Sequence, residues 1–580
     1  MKLKNTNIIL IFILFLTGNI NTIKGQDLEK IGKDDIFKYS GGLQFSSMAY
    51  GTKGMENRRD PFFYTINANL NLTLFNVVNV PLSAHYSKSN YDYTKPTFNH
   101  FGISPSYKFL TVHAGYRSMQ LSSYSLSGLT FLGGGIEVNP KDLPIKFSAM
   151  YGKFAKAVPY KQEHENFNSN NRFDRPGYRR MGYGGKLTVG KNEQSVEFIF
   201  FKAKDDPNSI PDPGPESGLT PKENLVIGFH TRNKITERIS LQTEYSLSAL
   251  SRDVRLPERK METFTYVNNL GGLFTPRYST SVNGTFSGSL SYSAQSFSFG
   301  VNYKRVPPGY KSLGTTYLSN DIENIHLNVQ KSLFDNKITL SGNIGTEHNN
   351  LDKSLQNTNK RVIGSANCNI SLLNPLNINL NYSNFNSNTA PVNTTFRDTF
   401  RYVQVTKNYG ANLSYQISNN KMAHNFNVNT NYQNVNTLNQ TATRVNNRNT
   451  KTFNSIFSYS LNLTPLQINL LSSFHINYFM PPGQDKNIAY GPTIGGGKAF
   501  LEGKLRTRFN YSFQINSASG SQKNKAHIVR INGSYNISTH HILRISLSMR
   551  SQNSNSDETE QQEKSIKNEY KARLTYSFNF

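Results

Sequence analysis

The residues best placed to do chemistry are seven cations near the C-terminal end: Arg506, Arg508, Arg530, Arg544, Arg550, Lys571 and Arg573. Each stands in a stretch where apolar and polar side chains alternate, and each takes a polar position. In extended backbone alternate residues share a face, so the seven would line one side of neighbouring strands. Cations on a low-dielectric wall concentrate anions, because the wall focuses their field into the adjacent water. That is the chemistry of a selectivity patch for an anionic solute, or of a dock for an acidic partner. Glu569 and loop carboxylates are positioned to neutralise part of it.

Other chemical signals are thinner. The asparagine ladders Asn377, Asn379, Asn381 and Asn425, Asn427, Asn429, Asn431 offer amides to sugars, or simply hydrate a polar face. Asp205, Asp206, Asp212 and Glu216 cluster among prolines, but their spacing matches no calcium loop. The histidines form no HExxH pair and no GxSxG elbow is present. Gly182 to Thr188 has the glycine-lysine-threonine flavour of a phosphate loop, yet lacks the upstream glycine and leads into a strand pattern. The single cysteine, Cys368, excludes an intrachain disulfide and a cysteine-based zinc cluster. These absences point away from an enzyme, and neither a cofactor nor a metal is expected.

The elements that would carry the cations are period-two strands. Ile66, Ala68, Leu70, Leu72 and Leu74 interleave with polar residues, and the pattern recurs along the whole chain, as at Leu505 to Ile515 and Leu543 to Met549. Short turn-like links, such as Phe334–Asn336 and Thr464-Pro465, alternate with longer polar ones such as 154–179, 204–223, 251–277, 306–320, 384–400 and 433–449. Counting them gives about thirteen long and twelve short links, hence about 26 strands, within a range of about 22 to 28. Strict sorting into short and long links is the topology of an all-β, single transmembrane antiparallel barrel. A negative mean hydropathy agrees, because only every second strand residue faces lipid. Gly133-Gly134-Gly135 and Gly495-Gly496-Gly497 sit inside strand patterns and suggest bends or close backbone approach.

The N-terminus reads as a secretory signal. Lys2 and Lys4 precede the apolar run Ile8 to Leu16, which is too short to span a bilayer, and a polar stretch ends near Gly25. The expected organisation is a signal peptide over 1–25, a short periplasmic segment over 26–36 and a barrel over 37–580. Trp is absent, so any interfacial girdle must be built from Tyr and Phe, and the formal charge of +27 implies anionic surroundings. Lipopolysaccharide phosphates or an acidic cargo fit a secreted strand-rich chain better than nucleic acid does.

The last strand carries a resemblance. Tyr570, Ala572, Leu574, Tyr576, Phe578 and Phe580 share one face, and the chain closes on Tyr576-Ser577-Phe578-Asn579-Phe580. This resembles the C-terminal signal of Gram-negative outer-membrane β-barrels. The resemblance implies insertion by the barrel-assembly machinery, with Tyr576, Phe578 and Phe580 as the recognition element, an outer-membrane location and both termini in the periplasm. It also implies contact with outer-membrane lipid and lipopolysaccharide.

A barrel of that size has a backbone diameter of roughly 50 Å, and an open hole so wide would abolish the permeability barrier. No segment long enough for a plug precedes the first strand pattern. The lumen must then be occluded by infolded loops or by a bound protein partner. Loop residues expected to make such contacts are Tyr160, Phe173 and Tyr178 in 154–179, and Phe264, Tyr266 and Phe274 in 251–277. The leading expectation is a transport or export conduit; the other is a non-conducting scaffold that anchors surface proteins or lipopolysaccharide.

Overall fold

The alternation is realised as one antiparallel sheet that closes on itself. The computed structural model describes residues 37–580, apart from 76, 89–99, 161–175, 192, 317, 374, 392–399, 442–443, 519–521 and 555–564. The stretches expected to be a signal peptide (1–25) and a periplasmic segment (26–36) lie outside the described residues. The first strands are β1 (Phe37–Lys53), β2 (Phe62–Leu74), β3 (Val78–Lys88), β4 (His100–Ile103 and Ser106–Tyr107), β5 (Leu110–Ser118), β6 (Thr130–Val138) and β7 (Ile145–Ala155). Next come β8 (Arg180–Lys191), β9 (Gln194–Asp205), β10 (Glu223–Lys234), β11 (Ile239–Ser251), β12 (Thr280–Ser293) and β13 (Phe297–Val306). The wall continues with β14 (Ile322–Leu333), β15 (Ile338–His348), β16 (Asn357–Leu373), β17 (Leu376–Pro391), β18 (Phe400–Ser418) and β19 (Met422–Thr441). It ends with β20 (Arg444–Leu463), β21 (Ile468–Met480), β22 (Asn487–Phe500), β23 (Leu505–Ala518), β24 (Gln522–Asn536), β25 (His541–Ser554) and β26 (Ser565–Asn579).

The sheet has 27 hydrogen-bonded segments, of which the two halves of β4 make one strand interrupted at Ser104-Pro105, leaving 26. Consecutive strands pair, and β26 pairs with β1 from Gly42↔Asn579 to Lys53↔Asn568, which closes the barrel and leaves no open edge. β1 begins and β26 ends at the end of the wall that carries the short turns.

The two faces sort by polarity. Tyr151, Phe198, Ile227, Leu413, Phe457 and Leu574 are exposed on the outside, where a membrane barrel meets lipid. Two aromatic rows border this apolar band. Tyr382, Tyr409 and Tyr432 contact one another at 5.1 and 6.1 Å nearer the loop end. Tyr415, Phe426 and Tyr459 do so at 6.4 and 4.8 Å nearer the turns. The rows lie about 20 Å apart along the strands.

Above the upper row the hydrogen-bonded ladder continues, to Pro391 in β17 and Thr441 in β19. The expectation that 384–400 and 433–449 are loops is therefore corrected: most of both stretches is paired strand. The reason is physical. Beyond the lipid band the outward positions become Asn384, Asn386, Asn434 and Asn436, so the greasy half of the alternation vanishes while backbone pairing persists.

Two loops turn inward instead of outward. Residues 119–129, between β5 and β6, and 307–321, between β13 and β14, meet in a short parallel bridge, Leu126↔Gly314 and Ser127↔Thr315. Met119, Leu121, Leu126 and Leu313 bury themselves against lumen-facing Phe131, Met150, Phe201, Val226 and Leu250. The seat is carved by glycines: a Cβ on Gly184 would stand 2.9 Å from Leu121 Cδ1, and one on Gly314 would stand 2.6 Å from the Phe201 ring. Gly135 likewise leaves room for Met119, so the first glycine triplet serves close approach by a loop as well as by a neighbouring strand.

Candidate functional site

Register places the cations in a staggered array on the lumen face. Across β23 to β26 one row reads Arg506, Ser534, Arg544, Thr575 and the next reads Arg508, Asn532, Ser546, Arg573. A third reads Asn510, Arg530, Ser548, Lys571. No two of these cations face each other directly; each has Ser, Asn or Thr between it and the next. Like charges directly opposite are destabilising, so the stagger keeps positive density high while avoiding that arrangement.

Arg506, Arg508, Arg544 and Arg573 converge on a cavity of about 580 Å³, with Gln44, Asn469 and Asn532 completing the wall. It opens at the turn-end mouth of the lumen, close to the links after β20, β22 and β24. The second glycine triplet helps to form it: Gly497 pairs with Arg508, and a Cβ there would lie 3.0 Å from Thr507 O and 3.7 Å from Arg508 Nε. Arg530, Arg550 and Lys571 belong to the same face but stand deeper, outside the cavity.

Neutralisation is partial. Lys571 Nζ lies 3.0 Å from Glu569 Oε1, and Arg550 faces Glu569 across the β25–β26 pair. Arg544 donates to Ser577 Oγ at 3.4 Å, and Arg550 to Gln552 Oε1 at 3.3 Å. Among the described residues no carboxylate lies within 4.0 Å of Arg506, Arg508, Arg530 or Arg573. An anion entering this mouth thus meets guanidinium groups whose bidentate donors are free for carboxylate or phosphate.

The expected loop contacts lie elsewhere. Phe274 is buried, with Val267 and Leu270, against Phe200, Leu225, Ala249 and Val282 on the outer wall. Phe264 and Tyr266 remain exposed on the surface of that same flap. Tyr178 is buried at the rim, where burial pushes its hydroxyl above the usual tyrosine range. Tyr160 lies in the loop after β7, and Phe173 falls outside the described residues. The loops named for these residues are both tied to 204–223: Arg179 pairs with Asp206, and Val254 N donates to Pro221 O at 2.9 Å, while Arg255 Nη2 lies 2.8 Å from Asp253 Oδ2 within its own loop. Such pairs take up most of the acidic cluster. Asp205 Oδ1 accepts from Arg180 Nε at 2.7 Å, and Asp212 Oδ1 lies 3.7 Å from Arg255 Nη1.

What the sequence reading missed is the inward pair of loops. Asn224 of β10 anchors them: its Nδ2 donates to Ser248 Oγ at 2.8 Å, and its Oδ1 accepts from Leu313 N at 3.0 Å. Tyr310 donates to Tyr124 O at 3.0 Å, and burial pushes both phenols above their ordinary range. A signal was present in Phe198-Ile199-Phe200-Phe201 and Leu225-Val226-Ile227, where both strand faces are apolar. A strand greasy on both sides is covered on both sides.

No family model matches the chain, and no curated protein is similar to it. Among solved structures it is similar to the ferric citrate transporter FecA in its unliganded form, at 9% identity and a TM-score of 0.38, over 93% of this chain and 78% of that one. It is similar to BauA, the ferric preacinetobactin receptor of Acinetobacter baumannii, at 8% and 0.36, over 93% and 80%. For the translocation pore of the P pilus usher PapC the values are 9% and 0.26, over 93% and 98%. The closed 26-strand wall, its apolar exterior with two aromatic rows and its polar interior make this chain a large β-barrel of the outer-membrane type.

Proposed function

We propose that the protein is a transport or export conduit of the outer membrane, narrowed by its own infolded loops and selective for anionic cargo at its turn-end mouth. The turns and both strand termini then face the periplasm, and the loops face outward. The observation that carries this reading is the set of four arginines around the 580 Å³ cavity, three of them without a carboxylate or hydroxyl partner among the described residues. A wall that only had to be wet would be served by asparagines and serines such as Asn532, Ser534 and Ser546, which alternate with these arginines on the lumen face. Concentrated, unpaired guanidinium groups at an entrance instead raise the local anion concentration.

The loops 119–129 and 307–321 support narrowing of the pore on the β5 to β14 side. Single-channel recording of the purified protein, with and without deletion of residues 122–127, tests the conduit. Larger conductance steps in the shortened form are expected. Silence in both forms would count against a conduit and favour a scaffold.

A further inference from the structure

On the β4 to β8 side of the barrel, away from the arginines, three turns at the short-turn end enclose a second cavity, of about 480 Å³. Lys108 comes from the β4–β5 turn, Lys141 from the β6–β7 turn, Lys146 from β7 and Lys191 from the end of β8. Thr111, Glu137 and Lys146 line it from the face that also carries Phe131 and Met150, so it opens to the lumen and not to lipid. Two backbone bonds tie the three turns together: Asn139 N donates to Phe109 O at 2.7 Å, and Gly190 N to Pro144 O at 2.6 Å.

The charge of this seat is one-sided. Among the described residues no carboxylate lies within 4.0 Å of Lys141, Lys146 or Lys191. Glu137 lies 3.8 Å from His113, Glu193 beyond the third turn pairs with Lys234 at 2.8 Å, and Asp142 stands on the second turn outside the lining. Lys146 is half-buried, and cations gathered in a concave wall repel one another until an anion joins them. Apolar surface adjoins the charge: Phe109 and Leu143 line the same cavity and are 49% and 61% exposed.

We infer that this cavity docks an acidic segment of a periplasmic protein that works with the conduit, at a place separate from the arginine cavity. Successive turns are two strands apart, so their lysines stand about 10 Å from one another. Carboxylates three residues apart on an extended chain repeat at about the same distance. A single phosphate would reach one or two lysines and leave Phe109 and Leu143 uncovered, whereas a peptide covers them with apolar side chains of its own. The inference rests on the reading in which the turns face the periplasm.

The test measures binding of a fluorescent Glu-Leu peptide, its Gln-Leu counterpart and inorganic tripolyphosphate to the purified protein in nanodiscs. The Glu-Leu peptide should bind and its counterpart should not. The triple variant Lys141→Gln, Lys146→Gln and Lys191→Gln should weaken binding by about tenfold or more at low salt, and the three corresponding Lys→Arg changes should preserve it. Phe109→Ser with Leu143→Ser should weaken the peptide but not tripolyphosphate. The lysine-dependent binding should survive in the variant Arg506→Gln, Arg508→Gln, Arg544→Gln and Arg573→Gln. Equal binding by wild type and the lysine triple variant would overturn the inference, as would peptide binding lost with the arginines alone. Indifference to Phe109→Ser with Leu143→Ser would reduce the cavity to a seat for small anions and overturn the peptide. Orientation is tested separately with Lys141→Cys on a Cys368→Ser background, where a bulky impermeant maleimide should label the new thiol only after the outer membrane is opened. Labelling in intact cells would overturn the reading beneath the inference, whereas a shielded thiol with no peptide binding would overturn the dock alone.

Discussion

Gly41 and Phe580 exchange both backbone hydrogen bonds, with Gly41 N donating to Phe580 O at 2.9 Å and Phe580 N donating to Gly41 O at 3.1 Å. The ring of Phe580 packs 5.6 Å from that of Tyr39 and 5.2 Å from that of Phe578, and a Cβ on Gly41 would stand 3.1 Å from its Cζ. Phe580 thus fastens the closing seam between β26 and β1. Two net hydrogen bonds at about 1 kcal/mol each, plus about 1 kcal/mol of ring contact, are at stake. Deleting Phe580, or changing it to Asp, should lower the amount of folded protein in the outer membrane several-fold, as read by heat-modifiable migration. Normal levels would refute the role assigned to it.

The inward loops should respond to volume and to one hydroxyl. Gly314→Val places methyl groups into the Phe201 ring and the backbone of Ser125. The loop pair should lift from its seat, and amide exchange at 119–129 and 307–321 should accelerate. Tyr310→Phe removes only the hydrogen bond to Tyr124 O, at a cost of about 1 kcal/mol, so protection should drop less. Unchanged exchange in Gly314→Val would show that the bridge does not hold the loops.

The rim clasp should be sensitive to acid. The backbone N–H of Asn208 and the Arg179 guanidinium hold the Asp206 carboxyl below the usual aspartate range, and the Arg255 guanidinium does the same for Asp253 against the opposing effect of burial. A depressed carboxyl pKa means that the unclasped state binds protons more readily. The stabilisation is therefore complete above the ordinary aspartate pKa of about 4 and disappears as pH falls through the lower values of the clasped state. Protease cleavage within 206–222 should be slow at neutral pH and should rise below about pH 4. Asp206→Asn, which lacks the carboxylate that pairs with Arg179, should be cut faster than wild type at neutral pH and show a smaller rise in acid. A flat cleavage profile for wild type across that window would remove the clasp from the description of the rim.

Much of the wall was legible in the residues themselves. Leu505 to Ile515 and Tyr570 to Phe580 show unbroken alternation because one face meets lipid and the other meets water, and the strand count of 26 followed from the sorting of links. The protruding ends of β17, β19 and β20 were not legible, since their outward residues there are mostly asparagine and the pattern that marks a strand disappears. The array of Arg506, Arg508, Arg544 and Arg573 could be assigned to one face, but its convergence on a single cavity depends on the register between strands, which period-two patterning alone leaves open. Contacts with the lumen wall or with a partner were expected from the longest loops; the described aromatic residues there stand at the rim and on the outer wall. The short loop 119–129 went inside, because Phe201, Val226 and Leu250 offered an apolar seat on the inner face.

The reversal potential of single channels under a potassium chloride gradient bears most directly on an anion-attracting mouth. Wild-type protein should reverse on the chloride-selective side of zero. The quadruple variant Arg506→Gln, Arg508→Gln, Arg544→Gln and Arg573→Gln should move toward or past zero at unchanged strand content, with the difference shrinking as salt screens the array. Wild-type channels that are cation-selective, or a quadruple variant with the selectivity of wild type, would contradict it.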